Sequence, residues 1–312
     1  MSDIAFLFPG QGSQYVGMGK LLAQRYLCAQ RTFDAADHAL AFPLSQLCFE
    51  GPEEELKKTE NTQPALLAVS SAAFRVLSEE GYKPSLAAGH SLGEYSALVA
   101  AGSLQFADAI RLVRKRGQYM QEAVPQGIGA MAALLKLPDG KLDAILAEAA
   151  GPTEVVSAAN LNSPDQVVIA GHAGAVERAM ELAKQAGAKR AVSLPVSAPF
   201  HCPLMIPAQQ RLRSDLDSTA FQNLEFPLIN NWQAREVTSA SEARLGLFEQ
   251  VPNPVRWTDT IRTMVSSGIK RFVEVGPGSV LLGLCRNIDP SLAGAKFGEP
   301  ADLEKVKALL SN

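Results

Sequence analysis

Gly89-His90-Ser91-Leu92-Gly93 constrains the fold of this chain more than any other segment. It is a G-x-S-x-G pattern, preceded by the short apolar run Ser85–Ala88 and followed by the helix-like run Glu94–Ala101, which Gly102 ends. A serine on a strand-to-helix turn is held at strained backbone angles, with its Oγ pushed out at the carboxyl end of a sheet. Glycines on either side of the serine let strand and helix pass without side-chain clashes. The helix N-terminus leaves unpaired N–H groups beside Oγ, where an oxyanion would form. The context therefore points to a nucleophilic serine.

The rest of the chain reads as alternating strands and helices. Ile4–Phe8 is a buried-type strand that stops at Pro9-Gly10, and a helix is expected from about Gly17 to Ala29. Pro64 is expected to open another helix through Leu77, since proline suits a first helical turn. Strands are expected again at Leu224–Ile229 and at Arg271–Val275, before Gly276-Pro277-Gly278. Short apolar runs alternating with longer helical ones predict an α/β fold with a parallel-rich sheet covered on both faces.

The middle differs. Ala130–Leu135, Glu154–Ala158, Gln166–Ala170 and Ala188–Leu194 read as strands, and Asp139–Ala149 and Gly174–Ala186 as helices. That order is βαββαβ, the ferredoxin-like arrangement. It predicts an inserted subdomain at 127–198 within a discontinuous large domain of 1–126 and 199–312.

Bulk properties narrow the partners. With 312 residues, 47% hydrophobic, and a net charge of −3, the chain gives no reason to expect nucleic acid or an anionic membrane surface. No apolar run approaches a membrane span, and Met1-Ser2-Asp3-Ile4 lacks a basic leader. The four cysteines are scattered, with no CxxC pair, so neither a metal site nor a disulfide framework is expected. These features fit a cytoplasmic protein.

A serine nucleophile needs a base, and there are four histidines. His38 lies in a polar helical stretch, and His172 in a glycine-bounded turn. His90 adjoins the serine, and in a strand would point to the opposite face. His201, between prolines at 199 and 203, remains as the candidate base, against a purely structural role. Gly10-Gln11-Gly12-Ser13 fails as a nucleotide loop, because Tyr15 stands where a third glycine belongs and no Walker lysine follows. Gln11 could aim a backbone N–H into an adjacent site, or form an ordinary turn. On a helix over 109–122, at about 100° per residue, Arg116 falls with Ala109, Val113 and Met120, opposite the charged face. It is either a snorkelling or internally paired arginine, or a guanidinium held for a substrate carboxylate.

Taken together, these segments resemble the malonyl-CoA:acyl carrier protein transacylase family. The resemblance runs from Phe8-Pro9-Gly10-Gln11-Gly12-Ser13-Gln14 to Glu274-Val275-Gly276-Pro277-Gly278. It takes in Thr62-Gln63-Pro64-Ala65, the Ser91 motif, Arg116-Gly117, Asn160-Leu161-Asn162-Ser163-Pro164, Phe200-His201 and Gln250–Trp257. It implies an α/β-hydrolase-like large domain and transfer of malonyl from malonyl-CoA to the pantetheine thiol of acyl carrier protein, with no cofactor. It further implies Ser91 as nucleophile, His201 as base, and the Gln250 backbone carbonyl as orienter of the histidine. Gln11 and Leu92 would supply oxyanion N–H groups, and Arg116 would bind the malonyl carboxylate. Gln63, Asn160 and Asn162 match pocket or support positions. Phe200 departs from the serine of many free-standing bacterial members; in related polyketide acyltransferase domains phenylalanine accompanies malonyl selection. A role supplying a polyketide assembly line stays open. Lys184, Lys189 and Arg190 form either a solvated charged face or a docking patch for an acidic carrier protein. The readings from other classes are a serine hydrolase, whose histidine belongs near the C-terminus, and a non-catalytic acyl-binding module.

Overall fold

The structure, a computed structural model, describes residues 3–196 and 198–311; Met1 and Ser2 of the leader reading, and Ser197 and Asn312, lie outside the described residues. Its strands are β1 (Ile4–Phe8), β2 (Leu86–Gly89), β3 (Gly129–Leu135), β4 (Val156–Ser163) and β5 (Gln166–His172), followed by β6 (Arg190–Ser193), β7 (Leu228–Ile229), β8 (Glu236–Val237), β9 (Arg271–Val275) and β10 (Ala293–Phe297). They form a six-stranded sheet in the order β10-β9-β1-β2-β7-β8 and a four-stranded sheet in the order β4-β5-β3-β6.

In the larger sheet every neighbouring pair is parallel except β7 with β8. Its alternating side chains feed two cores. Phe6 and Phe8 of β1 join the cluster under the helices Thr59–Glu79 and Leu92–Ala100, while Ala5 and Leu7 join Trp257, Ile261 and Leu281 on the other face. A strand covered on both faces reads as a continuous apolar run, which is how β1 reads. Phe8 pairs with Gly89, so β1 and β2 end side by side, and the turns carrying Gln11 and Ser91 leave the same edge. That edge, at the carboxyl ends of the strands, is where open α/β sheets bind ligands.

The smaller sheet is antiparallel throughout. With the helices Leu142–Ala149 and Ala173–Gln185 it follows the βαββαβ order, and it has its own core around Leu134, Ile169 and Val176. Its edge strand β4 is stitched to the segment before the helix Trp257–Ser266: Leu161 N–H donates to the Val255 carbonyl (2.9 Å) and Val255 N–H to the Ala159 carbonyl (2.8 Å). This fixes Asn160 beside the larger sheet.

Several local expectations are corrected. The helix expected over 17–29 is two helices, Lys20–Arg25 and Leu27–Leu40, because Tyr26 between them is extended (φ −121°, ψ 123°). Pro64 does not open its helix, which starts at Thr59 and tolerates the proline inside, at the loss of one hydrogen bond to the preceding turn. The strand expected over 224–229 pairs as β7 only at its last two residues.

Candidate active site

Ser91 caps the helix Leu92–Ala100 with φ 52° and ψ −107°, a backbone conformation disfavoured for a residue with a Cβ. The flanking glycines make the turn possible. A Cβ on Gly89 would stand 1.9 Å from the Gly93 carbonyl, and one on Gly93 would stand 2.0 Å from the Phe8 oxygen. Asn231, just beyond β7, clamps the turn: its Oδ1 accepts from Ser91 N–H (2.7 Å) and its Nδ2 donates to the Gly89 carbonyl (2.7 Å).

His201 meets the serine with Nε2 2.7 Å from Ser91 Oγ. Its Nδ1 lies 2.9 Å from the Gln250 main-chain oxygen. A carbonyl can only accept, so Nδ1 carries the proton and Nε2 is free to accept from the hydroxyl. Burial, and then the nearby Arg116 charge, push the His201 pKa down to about 3. The imidazole is therefore neutral at pH 7, as a general base must be. Among the described residues no carboxylate hydrogen-bonds to the ring; serine and histidine form a dyad oriented by a backbone dipole.

The other histidines are occupied or remote. His172 Nδ1 accepts from Val155 N–H (2.9 Å), and His38 is exposed on the helix Leu27–Leu40. His90 corrects the sequence reading: it lies beyond the end of β2 and lines the same cavity as Ser91 instead of facing away. Its Nε2 is engaged with Asn162 Oδ1 (2.8 Å), and its ring packs on Trp257 at 5.4 Å between centroids. Asn162 thus supports His90 from outside the cavity lining, with its Nδ2 on Gln166 Oε1 (3.1 Å).

Arg116, on the helix Phe106–Glu122, is only 1% exposed, which excludes a snorkelling side chain. Nor is it paired with an acid: Nη1 donates to Gln63 Oε1 (2.8 Å), and Nη2 to Gln250 Oε1 (2.8 Å) and Ser91 Oγ (3.2 Å). Its Nε has no partner among the described residues. The guanidinium lies over the Tyr95 ring, 5.4 Å from its centroid. Gly117 explains how a long side chain arrives there. A Cβ at that position would stand 2.7 Å from Glu60 Cα, so the glycine lets this helix close on Thr59–Glu79 and brings Arg116 against Gln63.

Ser91, His201 and Arg116 converge on a cavity of about 130 Å³, which Gln11, Gln63, Asn160 and Phe200 also line. Asn160 Oδ1 has no partner among the described residues. Gln11 and Val196 are shared with a wider groove of about 390 Å³, so the cavity opens outward there. The Gln11 backbone N–H donates to no acceptor among the described residues, and Leu92 N–H sits at the first helical position, where helices leave donors unpaired. Lys184 is ion-paired with Glu181 (2.6 Å) on the helix Ala173–Gln185, while Lys189 and Arg190 are exposed at the start of β6.

Sequence reasoning missed three contributors: Asn231, the buried Glu94, and the side chain of Gln250. Gln250 was read only for its main-chain carbonyl, yet its amide also touches Arg116, the Ser91 carbonyl (2.9 Å) and Glu94 (2.8 Å). The apolar-polar pattern gave no signal for them. A glutamate within an otherwise apolar first helical turn, Leu92-Gly93-Glu94-Tyr95, was the one available clue.

The site's relatives are specific. The acyl transferase domain model matches residues 5–291. The chain is 49% identical over 302 residues to the malonyl CoA-acyl carrier protein transacylase of Escherichia coli (strain K12), covering 96% of this chain and 97% of that protein. A crystal structure of an acyl carrier protein S-malonyltransferase from Vibrio cholerae O1 matches with a TM-score of 0.95 at 47% identity, over 98% of this chain and 100% of that one. A malonyl-transacylase solved in complex with a type II PKS acyl-carrier protein matches equally well, with a TM-score of 0.95, 48% identity and 100% of both chains covered. This chain belongs to the acyl transferase domain family, among the malonyl CoA-acyl carrier protein transacylases.

Proposed function

We propose that this protein transfers malonyl from malonyl-CoA to the phosphopantetheine thiol of acyl carrier protein through a malonyl ester on Ser91, in fatty acid synthesis. The observation that carries the reading is the buried guanidinium of Arg116, 3.2 Å from a serine hydroxyl that lies 2.7 Å from a neutral imidazole. A dry cation beside the nucleophile selects an acyl group that ends in a carboxylate.

In the first half-reaction Ser91 Oγ attacks the thioester carbonyl as its proton passes to His201 Nε2. The tetrahedral oxyanion is received by the N–H groups of Gln11 and Leu92. Collapse breaks the carbon–sulfur bond, and His201 returns the proton to the departing CoA thiolate. In the second half the carrier's thiol gives its proton to His201 and attacks the ester, and Ser91 Oγ recovers the proton on leaving. No cofactor takes part. Phe200 at the cavity wall crowds the acyl α-carbon, and one methyl in such a place discriminates by about 1–3 kcal/mol. The outer groove beyond Gln11 and Val196 has the room for the pantetheine arm that the inner cavity lacks.

This reading divides the chain into a catalytic domain of 1–126 and 199–312 and an inserted subdomain of 127–198, with the site at their junction. It proposes a cytoplasmic location on the four free cysteines, which fit a reducing compartment. Among the described residues no helix is long and apolar enough to cross a membrane. The solved neighbour bound to a type II PKS acyl-carrier protein extends the set of carriers worth testing to those of polyketide synthesis.

Incubating the protein with malonyl-CoA, with and without holo acyl carrier protein, tests the reading. Malonyl transfer to the carrier is expected; release of free malonate at the same rate in both would make the protein a hydrolase instead. Lys189 and Arg190 are proposed to face the acidic carrier, and Lys184, already paired with Glu181, to contribute less. Reversing Lys189 and Arg190 to glutamate is expected to raise KM for the carrier severalfold at low salt and leave acylation by malonyl-CoA unchanged. An unchanged carrier KM would remove them from the docking surface.

A further inference from the structure

Glu94 takes no part in the acyl-transfer steps, yet its carboxyl is buried, 1% exposed, in the first turn of the helix that Ser91 caps. A buried carboxyl needs compensating partners. Here they are the Asn231 N–H (3.0 Å) and Gln250 Nε2 (2.8 Å), both reaching Oε2. Gln250 Nε2 also donates to the Ser91 carbonyl (2.9 Å) and lies 3.4 Å from Asn231 Oδ1. Everything around that nitrogen is an acceptor. Turning the amide over would set its oxygen against three other oxygens and its NH₂ against the guanidinium. The amide therefore has one orientation, with Oε1 on Arg116 Nη2 (2.8 Å).

Gln250 is the hub of the site. Its main-chain oxygen holds the base, its side-chain oxygen holds the carboxylate binder, and Glu94 is the carboxyl that anchors its side-chain nitrogen. A glutamate touching Arg116 directly would occupy the donors that the substrate needs. Held one amide away, it offsets the buried positive charge and leaves the guanidinium available. Burial raises the Glu94 pKa to about 7, opposed by the bonds from Gln250 and Asn231 and by the Arg116 charge.

We propose that Glu94 is a positioning residue for recognition of the substrate carboxylate: it helps hold the Gln250 amide with its oxygen on Arg116 and, in its ionised form, supplies the guanidinium's counter-charge at one remove. The inference rests on the malonyl-transfer reading and deepens it, since it makes Glu94 a determinant of acyl selectivity and not of serine reactivity.

The test is kcat/KM for malonyl-CoA and for acetyl-CoA on wild-type protein, E94Q and E94D, with thermal melting as the check on folding. E94Q keeps the shape, removes the charge and weakens the strongest of the acceptors that hold the Gln250 amide nitrogen. Losing a hydrogen bond to a charged group is expected to lower malonyl kcat/KM about tenfold, mainly through KM, while acetyl kcat/KM stays within about twofold. E94D, which retains the charge, is expected to recover part of the malonyl preference. Parallel losses for both thioesters in folded E94Q, or an unchanged ratio, would overturn the proposal; if E94Q does not fold, the ratio in E94D decides, an unaltered value counting against it. Wild-type protein that fails to accept malonyl from CoA would instead overturn the reading beneath it, so the two failures are distinct.

Discussion

His201→Ala is expected to slow acylation by malonyl-CoA by about 10²–10⁴-fold, the range typical for removal of a positioned general base. The geometry offers no substitute. His90 is tied to Asn162, Arg116 is a cation, and among the described residues no carboxylate hydrogen-bonds to Ser91 Oγ. The wild-type pH profile carries a second signature. Burial and Arg116 hold the His201 pKa at about 3, so the base stays deprotonated as pH falls through the ordinary histidine range. The acid limb of kcat/KM, which reports the free enzyme, is expected well below pH 6. Once a malonyl carboxylate pairs with Arg116, one cause of the depression is offset, and the limb of kcat moves to higher pH. Single-turnover acylation across pH, on folded protein, reads both effects. An acid limb of kcat/KM centred near the unperturbed histidine value would contradict the buried, neutral dyad.

Arg116→Ala is expected to reverse the preference between malonyl and acetyl groups. Removing one partner of a buried ion pair typically costs about 3–5 kcal/mol, which is two to three orders of magnitude in kcat/KM. Acetyl-CoA has no carboxylate to lose a partner. Two effects favour it in the variant: the cavity wall becomes more apolar, and the repulsion that Arg116 exerts on a protonated His201 disappears. Arg116→Lys is expected to rescue malonyl transfer only in part, since an ammonium cannot reproduce the planar fork that reaches Gln63 and Gln250 together. An equal fall for both thioesters would mean that Arg116 serves only to hold Gln63 and Gln250 in place.

How far the sequence exposed this site depends on the range of the forces involved. The Ser91 turn was legible because its constraints are local: two glycines whose Cβ atoms would collide with backbone, between an apolar strand and a helix. Arg116 was legible from helical periodicity, and the βαββαβ segment from the alternation of its elements. Asn231 and Glu94 were not, because their partners lie far along the chain: Asn231 meets Ser91 and Gly89, and Glu94 meets Gln250. Hydrogen bonds of this kind leave no periodic trace. Edge strands were equally silent. In β10, Ala293, Gly294 and Lys296 are exposed and only Phe297 is buried, so the segment lacks the continuous apolar run that marks β1. His90 was misplaced because alternation was extended one residue beyond the end of β2, where the chain has already turned.

Ser91, activated by His201, is expected to carry the malonyl group. Intact-protein mass spectrometry after brief exposure to malonyl-CoA, followed by peptide mapping, tests it most directly. A mass gain of one malonyl group is expected, located on Ser91, lost on addition of holo acyl carrier protein and absent from Ser91→Ala. Malonyl found on another residue, or transfer to the carrier by folded Ser91→Ala at the wild-type rate, would contradict it.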